Sequence, residues 1–278
     1  MARRTFQAVA GIIAALICLA IITGFVFKAR VAALNVECQN NLKGLGFGLN
    51  AYKDTKGRWP YGTVPNDRLP PEKRLSWYVE TWSFFDQSRV IIDKDEARDS
   101  PRNGEPLVHY MDAPEVPVGY WKDFACPAAP NTDTSRPLSP TNYVGVAGLG
   151  GTYAATLPIT DPWAGFFGYE RKCKESDITN GLSNTIAVAE TLRDNGPWTA
   201  GGTPTVRGFE QHGLPYLGED GQFNSLHYTR SAVGFAKHSY STNILFADGS
   251  VRSFTDSMDT PTFEAMASIH LPTIQTIE

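Results

Sequence analysis

The sequence lacks the short motifs that mark many catalytic sites. Gly-x-Ser-x-Gly, His-Glu-x-x-His, Cys-x-x-Cys and the Walker phosphate-binding loop are all missing from its 278 residues. Its few histidines are scattered without the spacing of metal ligands: His109, His212, His227, His238 and His270. These absences predict a protein that is not an enzyme and that carries no cofactor.

An excess of basic residues is also missing. The chain has 25 Lys and Arg against 29 Asp and Glu, and without Arg3 and Arg4 near the N-terminus only 23 basic residues remain. A mildly acidic body offers no basic surface to neutralise phosphates, so nucleic acid is not an expected partner.

Charge is absent altogether from Ala8 to Phe27, a run of twenty mostly apolar residues. A helix of about 20 residues spans ~30 Å, the thickness of the hydrocarbon core of a bilayer. The run is longer than the apolar core of a removable signal peptide. It therefore predicts a single retained membrane anchor, although basic residues flank both ends and do not by themselves set its orientation.

The helical pattern continues beyond the apolar run. Apolar side chains recur at steps of three and four residues, which defines one face of an α-helix: Leu34, Cys38, Leu42, Leu45, Leu49 and Tyr52. We expect one helix from about Phe6 to Asp54, with its first half in lipid and its second half covered by a domain. Gly44, Gly46 and Gly48 either weaken this helix or permit close approach of a sheet, and both interpretations remain open.

The body of the chain is rich in turn residues and short apolar runs, which favours strands over helices. Strands are predicted at four segments: Tyr143–Ala147, Thr185–Ala189, Asn243–Ala247 and Ser250–Phe254. Asp248-Gly249 joins the last two, and we expect a two-residue type I′ hairpin there. The aromatic segment 75–92 is expected to form a helix whose rings belong to the core.

Several motifs resemble those of the DUF1559 family, which comprises pilin-like, membrane-anchored proteins abundant in planctomycetes. They are Cys38–Gly46 with Asn50–Asp54 and Gly57–Gly62, Cys126-Pro127 with Thr141–Gly148, Gly165–Gly168, Asp177–Glu190, and His238 followed after nine residues by Asp248-Gly249. The last is similar to the H-X9-DG element of that family. The resemblance implies an α+β fold in which a long N-terminal helix packs on a mainly antiparallel β domain.

The same resemblance implies an organisation and a location. Residues 1–27 would form a short cytoplasmic tail and the transmembrane helix, residues 28–56 the exported half of the helix, and residues 57–278 a β-rich exported domain. We expect a single-pass inner-membrane protein with a cytoplasmic N-terminus and its domain in the periplasm or envelope. Its expected role is structural or in protein interaction, with the membrane and other envelope or pilin-like proteins as partners.

The N-terminus departs from the pilin pattern. Pilin-like precursors carry Gly before the first mature Phe and Glu at the fifth mature position, whereas here Thr5 precedes Phe6 and Ala10 occupies the fifth position. A missing Gly removes the processing site, and a missing Glu removes a charge that registers subunits in a filament. This favours a permanently anchored protein, monomeric or laterally associated, over a filament subunit.

The family-like motifs supply the candidate site residues. Asn184 and Glu190 belong to one motif, and His238, Asp248 and Gly249 to another. The functional interpretation is that His238, Asp248 and Glu190 converge into a polar cluster able to hold a cation. The structural alternative is that each serves only local packing, as a lone histidine in a β domain usually does.

Cysteines provide a further expectation, since an exported domain permits disulfides. Cys18 lies in the membrane segment, which leaves Cys38, Cys126 and Cys173. We expect Cys38 to pair with Cys126, because both lie in family-like motifs and Cys38 faces the domain from the helix. The rival pairing is Cys126 with Cys173.

A second class of function remains open. The anchored domain would instead bind or hydrolyse carbohydrate, with Trp121, Trp163 and Trp198 lining a groove. A hydrolase of this kind needs paired carboxylates beside the aromatic rings, and nothing in the sequence isolates such a pair.

Overall fold

The computed structural model describes residues 2–85, 121–129, 140–211, 215–225, 227–229 and 239–270. Three α-helices fall within these ranges: α1 Ala2–Lys56, α2 Trp77–Phe85 and α3 Thr260–Ala267. The strands of the same ranges are β1 Tyr143–Leu149, β2 Ile186–Glu190, β3 Val206–Phe209, β4 His227–Thr229, β5 Ser239–Phe246 and β6 Val251–Thr255. Four of these strands fall on the four segments that the sequence predicts.

The strands form one mixed sheet in the order β3-β1-β2-β5-β4, and β6 also pairs with β5. Only the β1–β3 pair is parallel among the described pairings; the others are antiparallel. The helix α1 packs against β5 and β6. The expected α+β class, a long N-terminal helix on a mainly antiparallel sheet, is confirmed.

The two halves of α1 have different surroundings. The N-terminal half exposes its large apolar side chains; Phe6, for example, is 74% exposed and Phe27 is 50% exposed. The most apolar stretch of this half has a mean hydropathy of 2.8, and no part of that stretch is buried. It is long and apolar enough to cross a membrane. In the second half the predicted face is buried, with Cys38 and Leu42 fully covered and Tyr52 only 2% exposed.

The three helix glycines separate into two kinds. A methyl group added at Gly46 would lie 2.8 Å from Leu245 Cδ1 and 3.3 Å from the Cα of Gly249, and one added at Gly48 would lie 1.9 Å from the Phe85 ring. Nothing lies within 4 Å of the same position at Gly44. The helix continues through all three to Lys56, so Gly46 and Gly48 permit close approach and do not end the helix.

The aromatic segment after the helix is part of the core, as expected. Trp77, Tyr78 and Trp82 of α2 are buried, and Trp82 stacks on Trp198 at a ring distance of 5.1 Å. The predicted helix over 75–92 is confirmed for Trp77–Phe85, and the remainder lies outside the described residues.

The β5–β6 connection corrects the predicted type I′ turn. Gly249 N–H donates to the Phe246 carbonyl at 2.9 Å and Phe246 N–H to the Ser250 carbonyl at 2.8 Å. Gly249 has φ +86° whereas Asp248 keeps a negative φ. The loop therefore has three residues, Ala247 to Gly249, with the left-handed residue last. The N–H groups of Ala247 and Asp248 donate to carbonyls just before β2, and these tertiary bonds hold the wider loop.

Candidate functional site

Four side chains with metal-binding atoms meet between α1 and the sheet. Cys38, Cys126, Glu190 and His227 each offer one ligand atom, and these atoms all lie within 4.8 Å of one another. We call this group the Cys-Cys-Glu-His cluster. Each of the four residues is at most 2% exposed. A carboxylate and an imidazole are rarely buried so completely unless they have partners.

Separate elements supply the four residues. Cys38 lies on the buried face of α1, and Cys126 follows the short 3₁₀ helix Lys122–Phe124. Glu190 is the last residue of β2 and His227 the first of β4. Both strands pair with the same edge of β5, because β6 occupies the other edge. The end of β2 and the start of β4 therefore follow one another along β5, beneath the helix.

His227 is the central contact within the cluster. Its Nε2 lies 2.9 Å from Glu190 Oε1 and 3.4 Å from Cys126 Sγ. Its backbone N–H donates to Ser225 Oγ at 3.2 Å, which fixes the start of β4. The imidazole therefore presents one nitrogen to both a carboxylate and a sulfur.

Asn243 holds the other oxygen of the carboxylate. Its Nδ2 donates to Glu190 Oε2 at 2.9 Å and its backbone N–H donates to the same oxygen at 3.4 Å. The same amide donates to Asn35 Oδ1 at 2.8 Å, and Gln39 Nε2 donates to Asn243 Oδ1 at 3.3 Å. This network orients Glu190 and ties it to α1.

Asn142 holds the backbone on the far side of the cluster. Its Oδ1 accepts from Cys126 N–H at 2.9 Å, and its Nδ2 donates to the Thr191 carbonyl at 3.2 Å. Thr191 N–H in turn donates to the Asn142 carbonyl at 2.8 Å. Since Thr191 follows Glu190, this amide fixes Cys126 beside the end of β2.

The electrostatics of the cluster favour a charged imidazole at His227 and lower the pKa of one of the two thiols. A hydrogen bond from Cys126 lowers the pKa of the Cys38 thiol to about 7, against the opposing effect of burial. The pKa of the Cys126 thiol is raised by that hydrogen bond and by burial, so Cys38 ionises first. Burial lowers the pKa of His227, but hydrogen bonds to Cys38 and Glu190 outweigh it and raise the value to about 10. Three acidic groups thus face one imidazole, an arrangement that attracts a cation.

The structure places the predicted site residues in two regions. Glu190 belongs to the Cys-Cys-Glu-His cluster, whereas Asp248 is exposed in the β5–β6 loop, where its Oδ1 accepts from Ser250 N–H at 2.8 Å. Phe246, just before that loop, pairs with Ile186 at the opposite end of β2 from Glu190. Asp248 and Glu190 are therefore held apart by the length of β2.

The remaining predicted residues serve turns. Asn184 donates from Nδ2 to the Asn180 carbonyl at 3.2 Å in the turn before β2. Gly249 supplies the left-handed residue of the β5–β6 loop. His238 lies outside the described residues. The histidine that the structure places beside Glu190 is His227, which the sequence analysis did not select.

The predicted disulfide partners, Cys38 and Cys126, lie side by side as free thiols. Cys173, the rival partner, is buried outside the cluster, and burial raises the pKa of its thiol to about 12. The proximity fits the predicted pairing, and whether a bond forms stays a prediction. The same two sulfurs are also donors that a metal ion binds.

The predicted aromatic groove does not form from the three tryptophans. Trp198 is fully buried, and Trp121 packs edge-on against Trp82 at 4.6 Å between ring centres. Trp163 alone of the three is largely on the surface, with 49% of its area exposed. Trp121 and Trp198 therefore serve packing around Trp82.

These features define an α+β protein with a candidate membrane-spanning helix and a buried Cys-Cys-Glu-His cluster. The family model described as "Protein of unknown function (DUF1559)" matches residues 28–260, and the chain belongs to this family. The match begins just after the apolar run and includes all four residues of the cluster. No match was found among curated proteins or among solved structures.

Proposed function

We propose that the chain is a membrane-anchored, pilin-like envelope protein whose role is structural or in protein interaction and does not involve catalysis. The observation that carries this proposal is the change of surroundings along α1. The same continuous helix exposes apolar side chains up to Phe27 and is buried on one face from Cys38 onward. One rigid element thus joins a bilayer-length segment directly to the core of a domain.

The proposed topology has a cytoplasmic N-terminus and a domain on the outer side of the inner membrane. A reporter that is active only in the cytoplasm, fused after Glu278, should give no signal, and a reporter active only outside the cytoplasm should give a strong one. The intact mass of the membrane-bound protein should include residues 1–27. Strong cytoplasmic reporter activity would contradict the topology.

The exported half of α1 also offers a surface for neighbours. Val36 is 53% exposed and Phe47 is 74% exposed. They are 11 residues apart, about three helical turns, so they project from the same side of the helix, away from the buried face. We infer that this side contacts the helix of a neighbouring pilin-like protein in the same membrane.

Photocrosslinking tests this contact. A photoreactive phenylalanine analogue at position 47 should yield a discrete crosslinked species in membranes, and mass spectrometry should identify it as a second copy or another anchored pilin-like chain. The control is the same analogue at Tyr153, which is 69% exposed and lies outside the helix. Equal crosslinking at both positions, or none at position 47, would reject the contact.

A further inference from the structure

We propose that Cys38, Cys126, Glu190 and His227 bind one zinc ion as a closed structural site that fastens the exported half of α1 to the sheet. Two thiolates, one imidazole and one carboxylate form a donor set that suits Zn²⁺. Structural zinc sites use four protein ligands in a tetrahedron and leave no position for water. The four residues here are at most 2% exposed, which fits a closed site.

The distances need only small adjustments to fit a tetrahedron. Zinc bonds of about 2.0–2.3 Å place neighbouring ligand atoms roughly 3.3–3.8 Å apart. His227 Nε2 lies 3.4 Å from Cys126 Sγ and 2.9 Å from Glu190 Oε1, and every pair among the four ligand atoms is within 4.8 Å. An ion at the centre would push the imidazole and carboxylate apart slightly and draw the other atoms together.

The surroundings prepare the carboxylate to bind through one oxygen. Asn243 donates to Oε2 of Glu190, which leaves Oε1 facing the cluster. Such outer contacts orient metal ligands in many proteins, and their loss weakens metal binding. Asn243 is itself held by Asn35 of α1, so the helix contributes one ligand, Cys38, and part of the support for another.

Zinc accounts for more of the cluster than a disulfide does. A disulfide would involve only the two sulfurs, and Glu190 and His227 would be paired only with each other and with their neighbours. Zinc would bind all four residues, and its two positive charges would offset the two negative charges of the thiolates. A thiol releases its proton when it binds zinc, so the ion exchanges for two thiol protons and any proton on the imidazole.

A zinc ion here would act on the part of the helix nearest the membrane. Cys38 lies 11 residues after Phe27, about 16 Å along the helix axis. The site would hold the domain at a fixed distance and orientation from the bilayer. This role does not depend on whether the protein has a pilin-like function.

The test uses the full chain in detergent, purified with reductant and stripped of metal by a chelator. Titration with Zn²⁺ alone, followed by removal of free ion, should leave one zinc per chain by elemental analysis. Co²⁺ in place of zinc should produce a thiolate-to-cobalt charge-transfer band and the intense visible bands of tetrahedral coordination. Added Zn²⁺ should then abolish both signals.

Matched variants locate the site. Cys126→Ser and His227→Gln should reduce bound zinc to the background level, whereas Cys173→Ser and His270→Gln, which change a buried cysteine and a histidine outside the cluster, should retain one zinc per chain. Asn243→Ala should weaken zinc binding by about 10–100-fold, because it removes the support of Glu190 without removing a ligand. Near-ultraviolet circular dichroism checks that each variant is folded.

Three results would overturn the proposal. They are no bound metal in the folded wild type, retention of one zinc by folded Cys126→Ser, and a Co²⁺ spectrum without thiolate charge transfer. A Cys38–Cys126 disulfide in non-reducing peptide maps of protein taken directly from membranes would also overturn it. If the ligand variants do not fold, the wild-type stoichiometry and cobalt spectrum still decide the matter.

Discussion

Replacing each helix glycine with alanine tests how closely the sheet approaches α1. Gly44, Gly46 and Gly48 lie within five residues of the same helix, so the intrinsic gain in helix propensity is the same for each substitution. Their surroundings differ: a new methyl group meets open space at Gly44, the β5–β6 hairpin at Gly46 and a phenyl ring at Gly48. The three substitutions therefore share one favourable effect and differ in steric cost.

The magnitudes follow from these two effects. Replacing Gly by Ala inside a helix stabilises it by about 1 kcal/mol, and this is the whole expected effect at Gly44. Overpacking a filled site costs about 1–3 kcal/mol. At Gly46 the methyl would lie 2.8 Å from Leu245 and 3.3 Å from the backbone of Gly249, which cannot rotate away. At Gly48 it would lie 1.9 Å from Phe85, so the ring must move. Both closest approaches are under 3.0 Å, so the steric cost should lie at the upper end of this range, about 2–3 kcal/mol. After the gain of about 1 kcal/mol, we expect a net destabilisation of about 1–2 kcal/mol at both positions.

Thermal unfolding of the full chain in detergent, followed by tryptophan fluorescence, measures the effect on the domain. For a domain of this size 1 kcal/mol corresponds to about 2–4 °C in melting temperature. Gly44→Ala should therefore raise Tm by about 2–4 °C, while Gly46→Ala and Gly48→Ala should lower it by a similar amount or more. If all three variants raise Tm alike, the helix does not pack as described and the glycines serve only to weaken it.

Three other perturbations test the rest of the domain. Gly249→Val should destabilise it by about 1–3 kcal/mol, because φ is +86° there, and an unchanged melting temperature would refute the left-handed assignment. Arg171→Met should destabilise it by about 3–5 kcal/mol in chemical denaturation, because the buried guanidinium donates to five backbone carbonyls and would leave several of them without a partner. The exposed Arg252→Met, which removes one hydrogen bond to the Ser183 carbonyl, is the control and should cost much less. Cys173 should resist alkylation in the folded chain at neutral pH, because its thiol is fully buried and its pKa is raised to about 12. The same thiol should react after unfolding. Rapid alkylation of Cys173 in the native protein, detected by mass spectrometry, would contradict this.

Local pattern was sufficient to predict α1, α2 and the strands β1, β2, β5 and β6, whereas β3, β4 and α3 were not predicted. The spacing from Cys38 to Tyr52 identifies the buried face of α1, because a helix brings every third or fourth residue to one side. The strands at Tyr143 and Ile186 are short apolar runs with turn residues around them, a pattern that is typical of buried strands. The length of the β5–β6 loop could not be predicted, because it depends on hydrogen bonds from Ala247 and Asp248 to the segment just before β2, which is distant in sequence.

The candidate site could be predicted only in part. Glu190 and the two cysteines are recognisable because they lie in family-like motifs, but nothing local indicates which residues they face. His227 lies 37 residues from Glu190 and 101 from Cys126 along the chain, in a strand of three residues. His227 comes close to Glu190 only after β2 and β4 have both paired with β5. The resemblance to an H-X9-DG element pointed to His238, whereas the folded sheet brings His227 to the cluster.

The contact between α1 and the sheet has a polar part and an apolar part, which lie at different positions along the helix. Farther from the membrane the contact is apolar, through Leu42, Leu45 and Leu49, and is tightened where Gly46 meets the hairpin. Nearer the membrane it is polar, through the hydrogen-bonded amides around Asn243 and the Cys-Cys-Glu-His cluster. Burial of these apolar side chains stabilises this part of the contact. The proposed zinc ion would add to the contact at its N-terminal end, where hydrogen-bonded amides contribute less net free energy than apolar burial does. Removal of the proposed zinc ion should accordingly loosen the N-terminal end of the contact first. We expect hydrogen exchange at residues 34–41 to become faster in chelator-treated protein, with a smaller change at residues 42–52. Added Zn²⁺ should restore the original exchange rates.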